Sequence, residues 1–148
     1  MLEITKVINV SGDDFNGVIS IEPLESGHGH TLGNSLRRVL LNNLPGAAIT
    51  SVRIKGAPHQ FMTLPGMRED VVDFVLNLKK VRFVMHGEEP VIVNLRAKGP
   101  GEVRAGAISE NARAEVVNKD FVLCNLADEK AQIQVDITIS HGVGYETI

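Results

Sequence analysis

The residues able to do chemistry in this chain are few and scattered. His28 and His30 stand at i and i+2 in "GHGH", and an extended backbone would point both the same way. Zinc needs three or four ligands, and no nearby Cys, Asp or Glu completes such a set. These histidines, which flank a glycine ahead of a helix, therefore read as structural or partner-contact residues. Cys124 is the single cysteine, so neither an internal disulfide nor a Cys-based zinc site is available. It lies in the apolar run "FVLCNL" with no cation or helix start beside it in sequence, and reads as a small buried hydrophobe. "KGPGEVRAG" is glycine-rich and carries a lysine, but it lacks the G-x-x-x-x-G-K-[ST] spacing of a phosphate loop and reads as a β-turn. Glu69, Asp70 and Asp73 cluster at a helix start, where carboxylates meet the positive end of the helix dipole. No G-x-S-x-G nucleophile elbow is present. No catalytic set, metal site or cofactor is expected.

The residues that stand out lie on a helix surface. In "GHGHTLGNSLRRVLLNNLPG", Gly27 to Gly46, Thr31 is the expected N-cap and Pro45-Gly46 the stop. At about 100° per residue, Leu32, Leu36, Val39 and Leu40 share one arc, the expected core face. Asn34, Arg38 and Leu41 lie roughly opposite. A leucine beside an arginine on a polar face suits a protein contact, because arginine and apolar anchors are enriched in interface cores.

The frame that must carry these residues is globular. The chain has 148 residues, 43% hydrophobic and 22% charged, which is about one ordinary domain with a real core. Aromatics are only 4% and there is no Trp, so the core is built from Val, Ile and Leu. The net charge of -3 argues against a broad grip on nucleic acid. "MLEITKVINV" lacks the basic and apolar regions of a signal peptide, and no apolar run approaches the ~20 residues of a membrane span. With the lone cysteine, this predicts a cytoplasmic protein.

Strands are expected at "FNGVISIEPL", "AITSVRIKG", "VRFVMHG", "PVIVNLRA", "AEVV", "DFVLCNL" and "AQIQVDITIS". In the last, Ile133, Val135, Ile137 and Ile139 alternate with polar residues, which predicts one buried and one wet face. A second helix is expected from about Arg68 to Lys80, with Met67, Val71, Phe74, Val75 and Leu78 as its apolar arc. The fold class is α+β with a β-rich second half.

"IEPLESGHGHTLGNSLRRVLLNNLPGAAITSVRIKG" closely resembles the signature of the N-terminal part of the bacterial RNA polymerase alpha subunit. The resemblance continues through "PGMREDVVDFVLNLKKVRF" and "LCNLADEKAQIQVDI" into "GVGYETI" and covers nearly the whole chain. Asn42-Asn43 and "FMTLPGM" depart mildly from the pattern.

The resemblance implies a non-catalytic subunit that dimerises and scaffolds assembly of the beta and beta-prime subunits, which hold the catalytic magnesium site. Residues 1–46 would be the first part of a dimerisation region, and residues 47–148 an inserted β-rich subdomain contacting the large subunits. The helix of Leu32, Leu36, Val39 and Leu40 would be the dimerisation helix, packing against a second alpha copy. By motif position Arg38 and Leu41 would dock on beta, and His59 in "APHQF" and Asp73 in "EDVVDFVL" would be further large-subunit contacts. Asp73 lies opposite the apolar arc of its helix, where a contact residue belongs. Family members continue past "GVGY" to complete the dimerisation region and add a DNA-binding domain, so no direct DNA contact is expected from this segment. The alternative from another class is a small α+β enzyme or ligand-binding domain with an unrecognised pocket.

Overall fold

The computed structural model describes residues 6–13 and 16–144, so Phe15 and the terminal "YETI" lie outside the described residues. The chain divides into two compact units, residues 1–44 with 144–148, and residues 45–143.

The first unit holds an antiparallel hairpin, β1 (Lys6–Gly12) with β2 (Gly17–Glu22), and one helix, α1 (His28–Asn42). Sequence patterning missed β1. The helix begins three residues before the expected Thr31 cap. Gly27 takes a left-handed φ of 88°, open to glycine at no steric cost, and turns the chain so that the His28 N–H donates to the Glu25 carbonyl at 3.1 Å. Thr31 lies inside the helix instead, where its carbonyl accepts the Ser35 hydroxyl at 2.9 Å.

The second unit is built around a five-stranded antiparallel sheet. Its strands are β3 (Pro45–Ile54), β4 (Phe83–Met85), β5 (Val91–Lys98), β7 (Ala114–Val116) and β9 (Gln132–Val143), in the order β5-β9-β3-β4-β7. A second, two-stranded sheet pairs β6 (Gly101–Arg104) with β8 (Val122–Leu126). A single turn of 3-10 helix, Ala105–Ala107, follows β6. The short helix α2 (Val71–Leu78) packs on β8. "KGPGEVRAG" is thus more than a turn: the chain bends at Gly99-Pro100 and continues as β6.

The alternation in β9 places Ile133, Val135, Ile137 and Ile139 in the core, joined by Val91, Val93 and Leu95 from β5. From the other side Phe74 and Leu78 of α2 and Leu123 and Cys124 of β8 complete it. Burying each large side chain contributes about 1.5–3 kcal/mol. The opposite face of β9 is not wet throughout as expected. Gln134, Asp136, Thr138 and Ser140 are half-buried, because β9 is an inner strand, with β5 beside Gln132–Ile139 and β3 beside Val135–Val143.

The second helix is shorter than its apolar arc suggested. Arg68 and Glu69 lie outside it, because residues 66–69 run beside β8. Met67 bridges to Leu126, the Arg68 N–H donates to the Asn125 carbonyl at 3.0 Å, and the Ala127 N–H donates to the Gly66 carbonyl at 2.8 Å. Gly66 holds a φ of 80° against Ala131, where a Cβ would collide with the Ala131 side chain. Met67, Val71, Phe74 and Leu78 are buried and Val75 is half-buried, so the arc itself is as expected.

Candidate subunit-contact surfaces

Every buried hydrophobic side chain among the described residues lies between Ile54 and Ile139, in the second unit. Among the described residues the first unit buries none. This corrects the reading of Leu32, Leu36, Val39 and Leu40 as a core face. Leu32 is half-buried, while Leu36, Val39 and Leu40 are 38%, 51% and 61% exposed. The arc exists on the helix as the periodicity requires, but one hairpin and one helix supply too little surface to cover it. Val7, Ile8, Val18 and Ile19 of the hairpin are exposed as well.

On the other side of α1, Arg38 is exposed and Leu41 is 64% exposed. They stand at i and i+3, so they are neighbours on the helix surface. Among the described residues neither Arg37 nor Arg38 enters an ion pair. A guanidinium presented this way can form a bidentate pair with a carboxylate.

His59 and Asp73 belong to the second unit. His59 is exposed on the loop after β3, and Asp73 is exposed in the first turn of α2. The loop is tied to the start of that helix. The Val71 N–H donates to the Met62 carbonyl at 3.1 Å, and Thr63 bridges to Asp70. Sequence reasoning passed over Phe61, two residues from His59 and 77% exposed. The available signal was an aromatic in a polar loop of a chain with few aromatics.

Glu69, expected at a helix start, instead lies before the helix. Glu69 is half-buried, and its carboxylate accepts the backbone N–H and the side-chain amide of Asn125, each at 2.7 Å. Partial burial works to raise its pKa, but the hydrogen bonds from Asn125 outweigh this and hold it below the ordinary 4.5. Cys124 is 1% exposed, and burial together with the nearby Glu69 charge pushes its thiol up to about 12. That is a structural cysteine.

Among the described residues no group of three or more His, Cys, Asp and Glu is placed to hold a metal, and no helix is long and apolar enough to cross a membrane. His28 lies 3.7 Å from Glu25 within its own turn. A cavity of the second unit, about 420 Å³, is lined by His86, Glu110, Glu115 and Lys119 among others. Lys119 is engaged with both carboxylates, at 4.0 Å and 3.8 Å.

In the second unit β3 and β9 are hydrogen-bonded neighbours, with Pro45 opposite Val143, so the chain enters and leaves this unit side by side. Together the parts define a class: an α+β chain with a coreless hairpin-and-helix unit and a self-contained β-rich unit whose entry and exit strands pair. The chain belongs to the RNA polymerase Rpb3/RpoA insert domain family, whose profile matches residues 52–148. It is 48% identical over 140 residues to a DNA-directed RNA polymerase subunit alpha of Symbiobacterium thermophilum, covering 95% of this chain and 44% of that protein. Subunits of the same name are 44% identical to it in Alkaliphilus oremlandii, over 95% of this chain and 44% of the relative. For Roseiflexus sp. (strain RS-1) the identity is also 44%, over 98% and 46%. The chain thus spans less than half the length of these relatives.

Proposed function

We propose that this chain serves as a non-catalytic alpha-subunit component of a DNA-directed RNA polymerase, a scaffold on which the larger subunits assemble. The observation that carries this reading is the contrast between the units. The second closes its own core, while the first leaves the apolar arc of α1 exposed on one side and Arg38 and Leu41 on the other. An apolar stripe of this kind marks an interaction surface. In this reading Leu32, Leu36, Val39 and Leu40 form the dimerisation helix against a second alpha copy. Arg38 and Leu41 dock on the beta subunit, and His59 and Asp73 contact the large subunits. Nucleotidyl transfer and its magnesium ion belong to beta and beta-prime, and the segment touches no DNA directly. The assembly works in the cytoplasm.

Co-purification with the beta subunit tests the proposal. The chain is expected to bind beta, and Arg38→Ala is expected to weaken binding by roughly thirtyfold, the loss of a hot-spot arginine worth about 2 kcal/mol. Unchanged capture of beta by the variant would remove Arg38 from the docking site, and no capture by the parent chain would overturn the scaffold reading.

A further inference from the structure

The outer face of the five-stranded sheet carries a concentration of positive charge that the alpha-subunit reading does not use. Along β5 the outward side chains run Ile92, Asn94, Arg96, Lys98, and in register beside them on β9 stand Thr138, Asp136, Gln134 and Gln132. Beyond β9 the chain of β3 continues past Arg53 to Lys55, whose N–H donates to the Gln134 carbonyl at 3.0 Å. Lys55, Arg96, Lys98, Gln132 and Gln134 together line one cleft of about 400 Å³, and no carboxylate lines it. Among the described residues none of those three cations enters an ion pair. The carboxylate on the same face of β9, Asp136, stands one step along, in register between Asn94 and Arg53. Ile92, 64% exposed, ends the row.

We infer that this cleft docks an extended acidic segment of a protein partner, with alternate carboxylates meeting Lys98 and Arg96 and an apolar side chain reaching Ile92. Spacing supports an extended chain: residues two apart on β5 are about 6.7 Å apart, the same repeat as alternate side chains of an extended peptide. The glutamine amides of Gln132 and Gln134 offer donors and acceptors suited to a peptide backbone. Nucleic acid fits less well. Three cations within about 12 Å, two strand spacings across and one side-chain repeat along, fall short of the six to ten phosphate contacts that typify strong electrostatic binding. No aromatic lines the cleft to stack a base. The inference does not depend on the scaffold proposal, because it uses none of Arg38, Leu41, His59, Asp73 or the apolar arc of α1.

The test is fluorescence anisotropy on the full 148-residue chain. The probe is labelled Glu-Ser-Glu-Ser-Glu-Ser-Ser-Ser-Leu, set against a scrambled peptide and a single-stranded oligonucleotide of equal charge. Arg96→Glu with Lys98→Glu is expected to weaken the ordered peptide by at least about tenfold, since each exposed pair changes binding by up to about fivefold and reversal turns attraction into repulsion. Ile92→Ser is expected to weaken it less, and Arg82→Glu, outside the cleft, not at all. Arg96→Gln with Lys98→Gln repeats the test if the reversed variant melts differently from the parent. Two results would overturn the inference: peptide binding indifferent to both double variants, or tighter binding of the oligonucleotide lost with the same residues.

Discussion

Asn125 holds Glu69 from two directions: its backbone N–H and its side-chain amide each donate to the carboxylate at 2.7 Å, while its own carbonyl accepts the Arg68 N–H at 3.0 Å. These bonds lock the approach to α2 against β8, the strand whose Leu123 carbonyl accepts the Asn77 side-chain amide from the helix at 3.0 Å. The loop bearing His59 leads into this approach, and Asp73 follows it by four residues. The clamp thus steadies the segment that presents both.

Breaking the clamp should cost stability. A hydrogen bond to a charged group is worth about 1.5–3 kcal/mol, so Asn125→Ala, which removes the side-chain donor, is expected to destabilise the second unit by about that amount. Urea denaturation followed by far-UV circular dichroism measures it. A loss below the error of the extrapolation would mean that solvent replaces the amide.

The same clamp makes a pH prediction. The folded pKa of Glu69 lies below its ordinary 4.5, so the fold favours the charged form. Its contribution is complete above 4.5 and is lost as the pH falls through the folded value. Glu69→Gln should therefore melt below the parent at neutral pH, and the gap should close as the solution is acidified below 4.5. A gap that widens with acid would reverse the assignment.

The two faces of β9 should answer differently to the same charge. Val135 is fully buried, and Val135→Asp is expected to unfold the second unit, since an unpaired buried charge costs several kcal/mol. Gln134→Asp is expected to be neutral or slightly stabilising, because Gln134 lies between Arg96 and Lys55 on the basic face. Equal thermal melts for the two variants would show that the strand faces are reversed.

Cys124 should be inert in the folded chain. With the thiol pushed up to about 12 and 1% exposed, the reactive thiolate is scarce and shielded. Ellman's reagent is expected to react only on unfolding, with a rate that follows denaturant rather than pH between 7 and 9. Prompt reaction of the native chain would place the thiol at the surface.

The exposed arc of α1 should drive self-association. Each large apolar side chain buried at an interface contributes about 1.5–3 kcal/mol, so Val39→Asp with Leu40→Asp is expected to weaken association by at least about a hundredfold. The melting of the second unit should be untouched. Analytical ultracentrifugation reads the first quantity and calorimetry the second. A parent chain that stays monomeric at high concentration, with α1 amides well protected from exchange, would overturn the expectation.

By itself the sequence determined the α+β class, most of the strands, the apolar arcs of both helices and the buried role of Cys124. These follow from short-range periodicity: a period near two for strands and 3.6 for helices is written into neighbouring residues. The family resemblance was legible in the same way, as contiguous motifs. Three things were decided only by the tertiary structure. Glu69 reads locally as a helix-start carboxylate, and only the approach of β8, 56 residues away in sequence, makes it the acceptor of Asn125. Pairing on both flanks, not its own alternation, made the polar face of β9 half-buried. An arc such as Leu36, Val39 and Leu40 shows that a helix has an apolar side, but not that anything covers it. Periodicity is a property of one segment, whereas burial belongs to two surfaces in contact, and among the described residues of the first unit the second surface is not brought to α1.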